Sequence, residues 1–98
     1  MAFVQIIEFE SSRIDEFNAN LDAWMAESEG RRIPHHVMLA KDRDGDNRYL
    51  FTVEFSSHEK AMENSNRPET AAFAAFLAGL CNGPLGFRNL DVLRVEDM

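Results

Sequence analysis

The stretch Tyr49-Leu50-Phe51-Thr52-Val53-Glu54-Phe55 most restricts what this chain can become. Tyr49, Phe51, Val53 and Phe55 make one unbroken apolar row, whereas Leu50, Thr52 and Glu54 make a mixed one. That period of two defines a strand with unlike faces. The apolar row calls for a covering of helices. The mixed row calls for something only partly apolar. Ser56-Ser57-His58-Glu59 follows at once, supplying hydroxyl caps and an early acid that start a helix running from Glu59 to about Asn66.

The other elements read in chain order. Phe3 to Glu10 alternates as a first strand, with Phe3, Gln5, Ile7 and Phe9 on one face and Val4, Ile6 and Glu8 on the other. Ser11-Ser12-Arg13-Ile14-Asp15-Glu16 supplies caps and early acids for a first helix, which Gly30 ends. Its stripe of Ile14, Phe17, Leu21, Trp24 and Met25 recurs at spacings of three and four, so Trp24 is expected to anchor the core. Ile33 to Lys41 reads as an edge strand, because Pro34 lacks a donor. Asp42-Arg43-Asp44-Gly45-Asp46-Asn47 is its hairpin turn, with positive backbone angles assigned to the Asp-Gly pair. Pro68 interrupts the second helix and opens a fresh one through Leu80 or Cys81. Phe87 to Val95 is the last strand, with Leu90 and Val92 on one face and Asp91, Leu93 and Val95 on the other.

The order β-α-β-β-α-β is the ferredoxin-like, α+β pattern: a four-stranded antiparallel sheet, strands one and three central, helices on one face. Ninety-eight residues make a single domain, residues 1–98, that buries only part of its surface and gains from a second copy. Val4, Ile6, Met38, Leu50, Leu93 and Val95 are assigned to the face away from the helices, with Glu8, Thr52 and Glu54 among them. Such a face wants a partner and a cavity together.

Charge and motifs exclude several functions. A net charge of -7, spread along the chain, repels phosphate backbones and anionic bilayers, so neither nucleic acid nor membrane is an expected partner. No apolar run approaches a bilayer span and no leader is apparent at the N-terminus, so the cytoplasm is the default compartment. Asp42, Asp44 and Asp46 alternate as in a calcium loop, but Asn47 stands in place of the turn glycine and Val53 in place of the bidentate glutamate. No metal or cofactor is expected. Cys81 is alone in an apolar helical run and reads as an inert thiol.

The junction Leu50-Phe51-Thr52-Val53-Glu54-Phe55-Ser56-Ser57-His58-Glu59-Lys60-Ala61, with the length and element order, resembles the dimeric α/β-barrel superfamily. That group contains antibiotic-biosynthesis-type monooxygenases, haem-degrading monooxygenases and stress-responsive barrel proteins. The resemblance covers nearly the whole chain. It implies a homodimer whose sheets pack face to face as a barrel, with a small cavity between sheet and helices or at the barrel mouth. Its cofactor-independent oxygenases use an asparagine and a tryptophan near the pocket. Here the first strand offers Gln5 and no Asn between Ala2 and Glu10, and the only Trp lies in the first helix. The haem-degrading type implies a histidine late in the second helix, where Ala72 to Leu80 has none.

Candidate chemistry gathers on the mixed face. His35 and His36 are adjacent on a strand, which sends them to opposite faces, one as a general base or a satisfied structural residue. Glu8 and Glu54 either raise one another's pKa in an apolar cavity or pair with Arg48, Arg88 or Arg94. The expected pocket for a small apolar ligand is therefore His36, Thr52, Glu54, Glu8 and Asp91. Two functions follow: a monooxygenase-like or isomerase-like enzyme, or a non-enzymatic dimeric binding module. The Asn64–Pro68 break adds a candidate lid.

Overall fold

The computed structural model describes residues 2–98. Its elements are β1 (Phe3–Glu10), α1 (Ile14–Glu27), β2 (His36–Lys41), β3 (Arg48–Phe55), α2 (His58–Ser65), α3 (Pro68–Leu80) and β4 (Gly86–Asp91). The sheet is antiparallel with order β2-β3-β1-β4, so β1 and β3 are central. The ferredoxin-like α+β arrangement is the one the element order implies.

The two faces are as unlike as the sequence of β3 requires. Tyr49, Phe51, Val53 and Phe55 are all buried beside Phe3, Ile7 and Phe9 of β1, under Phe17, Ala61, Leu77 and Leu80 of the helices. Phe17 is the hub. Its ring meets Phe9 at 5.4 Å, Phe51 at 5.2 Å and Phe73 at 5.9 Å between centroids, tying α1 to the sheet and to α3. The opposite face carries Val4, Ile6, Glu8, His36, Met38, Leu50, Thr52, Glu54 and Leu90 by register. Of these, Met38 is 51% and Leu90 44% exposed.

Helix starts follow their capping chemistry with one exception. Ser57 Oγ accepts the Lys60 amide at 3.2 Å at the head of α2, and Pro68 occupies the first turn of α3. α1 departs from the expected serine cap: its N-cap is Arg13, which forms no side-chain cap. Ser11 stands two residues too early for that role and bridges elements instead. Its buried hydroxyl donates to the Leu80 carbonyl at 2.9 Å and accepts the Arg13 amide at 3.0 Å.

Four further boundaries differ from the sequence reading. β2 begins at His36, not Ile33, and Pro34 is buried ahead of it. Asn47, not Gly45, carries the positive φ of the hairpin, at 55°. Gly45 serves for space, since a Cβ there would lie 2.9 Å from Arg48 Cδ. α1 ends at Glu27, ahead of Gly30, whose φ of 78° turns the chain three residues later. β4 stops at Asp91, and Leu93 and Val95, at 82% and 76% exposure, lie past the last ladder pair. By register Leu90 opposes Val4 on the open face, while Asp91 opposes Phe3 in the helix-side row, the reverse of the expected assignment. Among the described residues no helix is long and apolar enough to cross a membrane.

Ser11→Ala leaves a buried carbonyl without its donor and is expected to lower the unfolding free energy by about 1–3 kcal/mol. Phe17→Ala is expected to cost about 3–5 kcal/mol. Urea unfolding followed by circular dichroism measures both. A Ser11→Ala protein as stable as its parent would show that the bridge contributes nothing.

Candidate functional site

A cavity of about 240 Å³ lies between the sheet and the helices. Its position follows from the pitch of α1. Phe17 and Trp24 are seven residues apart on one stripe, two turns and about 10 Å along the axis. Phe17 fills the core at one end. Trp24 is only half-buried and walls the cavity at the other, with Leu21 between them. Phe51, Phe55, Phe73 and Phe87 add further aromatic surface to the wall.

The polar lining is sparse and comes from three elements. Gln5 interrupts the helix-facing row of β1 between Phe3 and Ile7, and its amide donates to Asn89 Oδ1 at 3.2 Å. Asn64 and Ser65 stand in the last turn of α2, and Glu69 and Thr70 in the first turn of α3. Thr70 Oγ1 donates to the Asn64 carbonyl at 2.6 Å and the Arg67 amide donates to the same oxygen at 3.1 Å. These bonds fasten the Asn64–Pro68 junction, the segment considered as a lid, beside the cavity wall that Asn64 and Ser65 help to form.

The five residues selected from the sequence lie elsewhere. Glu8, His36, Thr52 and Glu54 project from the open face, Asp91 sits at the end of edge strand β4, and none lines this cavity. Glu8 and Glu54 are not a carboxylate pair, because Glu54 opposes Val4 and Glu8 opposes Leu50, four residues along. Glu8 pairs with Arg88 at 3.1 Å, as the ion-pair reading anticipated. Glu54 pairs with histidine instead: His35 Nε2 lies 2.9 Å from Oε1 and His36 Nδ1 4.0 Å from Oε2. Opposite faces for the two histidines is thus a corrected expectation. His35 precedes the strand, where alternation does not hold, and its ring swings to the side of Glu54 while its amide donates to the Glu54 carbonyl at 3.0 Å.

Trp24 belongs to the cavity and not to the closed core, which amends the reading from helical spacing. Arg32 covers its outer surface with the guanidinium carbon 5.9 Å from the ring centroid, a cation–π contact. The only Trp, on α1, and an asparagine on α2 thus both line the cavity. Gln5 was the visible signal, a lone amide in an otherwise apolar row. Asn64 carried none, because its place depends on where α2 ends over the sheet. Among the described residues, no three His, Cys, Asp or Glu side chains converge as a metal site.

No family model matches the sequence, and no curated protein matches it. Solved structures do. A Mycobacterium tuberculosis protein superposes with a TM-score of 0.76 at 17% identity, covering 99% of this chain and 100% of that one. SnoaB, a cofactor-independent oxygenase from Streptomyces nogalater, gives 0.78 at 16% identity, over 96% of this chain and 95% of its own. A candidate antibiotic biosynthesis monooxygenase from Caulobacter crescentus gives 0.77 at 11% identity, over 95% and 91%. The chain has the fold of the antibiotic biosynthesis monooxygenase-like proteins. At these identities the likeness is one of backbone architecture, and the chemistry of this chain rests on its own side chains.

Cys81 is partly buried at the end of α3, and burial pushes its thiol above the usual value. The thiolate is the reactive form, so the folded protein at pH 8 is expected to react with a disulfide reagent much more slowly than the urea-unfolded chain. Equal rates followed by absorbance would contradict a buried thiol.

Proposed function

We propose that this chain is a homodimeric small-molecule-binding protein acting as a cofactor-independent, monooxygenase-like enzyme on a small apolar or aromatic substrate. The observation that carries the reading is the aromatic-walled cavity, whose few polar lining residues are Gln5, Asn64, Ser65, Glu69 and Thr70. Flat faces of Trp24 and Phe73 suit a ring, and sparse amides suit one or two oxygen substituents. For a hydroquinone the overall chemistry balances without an added reductant: hydroquinone and dioxygen give hydroxyquinone and water, the ring supplying all the electrons. The amides would hold the ring oxygens as negative charge develops there, in a site that excludes most water. The cytoplasm is the compartment this reading assumes.

The dimer supports the cavity by closing the other face. Val4, Ile6, Met38, Leu50 and Leu90 are too apolar to stay in water, and a second copy presents the same surface. Two carboxylates set among them have partners: Glu8 pairs with Arg88, and Glu54 meets the two histidines. That pairing favours a second reading, in which His36, Thr52 and Glu54 are interface residues and the protein is a dimeric binding module without turnover. In the first reading these residues also face away from the cavity, so turnover is expected to survive His36→Ala and Glu54→Ala wherever the dimer stays intact.

Oxygen consumption over a panel of hydroquinones is expected to exceed the buffer rate and to fall at least tenfold in Asn64→Ala and Trp24→Ala. No excess over buffer with any of them, alongside retained binding, would favour the module. Light scattering at micromolar concentration is expected to give twice the chain mass, and half that value for Ile6→Asp. A monomeric parent protein would remove the barrel.

A further inference from the structure

On the solvent side of Trp24 a second depression of about 260 Å³ adjoins the cavity, sharing Trp24, Asn64, Glu69, Thr70 and Phe73 as common wall. Arg31, Arg32 and Arg67 line it. They come from two distant segments: the turn after α1, and the residue before Pro68. Their convergence in a chain of net charge -7 is against the overall balance. Arg13, Lys60, Arg88 and Arg94 each pair with a carboxylate. Lys41, Arg43 and Arg48 sit at the hairpin beside Asp42, Asp44 and Asp46.

The three groove arginines are held differently. Arg31 Nη2 donates to the Glu27 carbonyl at 2.5 Å, Arg67 Nη1 to the Arg31 carbonyl at 2.8 Å, and Arg32 Nη2 to the Met25 carbonyl at 3.3 Å. Neutral acceptors position these guanidiniums without cancelling their charge. Glu27 and Glu69 also line the depression, yet among the described residues no carboxylate oxygen lies within 4.0 Å of any of the three. Each guanidinium keeps N–H donors free in the planar fork that matches a carboxylate.

We infer that the molecule bound here is an amphipathic anion, an aromatic body in the cavity bearing a carboxylate that reaches past Trp24 to Arg32 and Arg67. The inference rests on the cavity reading and narrows its ligand class. Arg32 is the pivot, because it stacks on the indole that separates the apolar chamber from the charged one.

A matched pair of probes tests it: 2-naphthoate, and 2-naphthamide, of the same shape without charge. Binding followed by calorimetry is expected to favour the acid by about tenfold at low salt, with the preference shrinking as salt is added. In Arg32→Gln and in Arg67→Gln the preference is expected to fall to within about twofold while naphthamide affinity holds. Arg67→Lys, which keeps the charge, is expected to retain part of it, and Arg43→Gln at the hairpin to change nothing. Thermal melting confirms that each variant is folded. Equal affinity of the parent for acid and amide overturns the anion site and leaves the cavity standing. Failure of both probes to bind overturns the site together with the cavity reading.

Discussion

Packing of Phe17 against the sheet fixes most of what else the molecule does. A single ring in contact with Phe9, Phe51 and Phe73 sets the depth and azimuth of α1 over β1 and β3 and brings α3 against it. An α-helix is stiff over two turns, so fixing Phe17 also fixes Trp24. The chamber beneath Trp24 is therefore what remains where aromatic filling gives out: Phe9, Phe17 and Tyr49 stack closely at one end, and at the other the sheet presents Gln5. The closed core and the cavity occupy opposite ends of one apolar stripe.

Charge is distributed to the same effect. On the open face, carboxylates have local partners, Glu8 the Arg88 guanidinium and Glu54 the imidazoles of His35 and His36. Burying an unpaired carboxylate against a second sheet would cost several kcal/mol, whereas paired groups are buried more cheaply. The depression outside Trp24 has the reverse arrangement, cations oriented by backbone carbonyls with their charge left available. In the proposed dimer and ligand complex, the first surface meets a like surface and the second an opposite charge.

Much of the architecture was legible because it is written in period-two and period-three-to-four patterns. The Tyr49–Phe55 row, the stripe from Ile14 to Trp24, the Ser57 cap and the Pro68 start all translate directly into elements. Boundaries were less so. Alternation continues on paper through Val95, yet the ladder closes at the Phe3–Asp91 pair, with one further bond from the Val92 amide to the Ala2 carbonyl. The site was harder still. Periodicity says which residues share a face of one element; it does not say where a helix end hangs over a sheet. That is why Glu8, Thr52 and Glu54 drew attention on the regular strands, while Asn64 and Thr70 at a helix junction did not. His35 misled for a related reason, since the alternation rule was applied one residue before the strand began.

Pro68 explains how the junction comes to serve the cavity. Without an N–H it cannot continue α2, and its ring holds Arg67 extended, at φ -81° and ψ 142°. The last carbonyls of α2 are thereby released from helical pairing, and the Asn64 oxygen takes the Arg67 amide and the Thr70 hydroxyl in place of a further turn. Two helix ends are thus stapled side by side over the chamber, Asn64 from one and Thr70 from the other. The extended Arg67 is turned outward, where its guanidinium reaches the Arg31 carbonyl across the groove. A single imino acid accordingly places an amide, a hydroxyl and a cation around one opening, and does so through backbone geometry, which no spacing of side-chain types along the chain would announce.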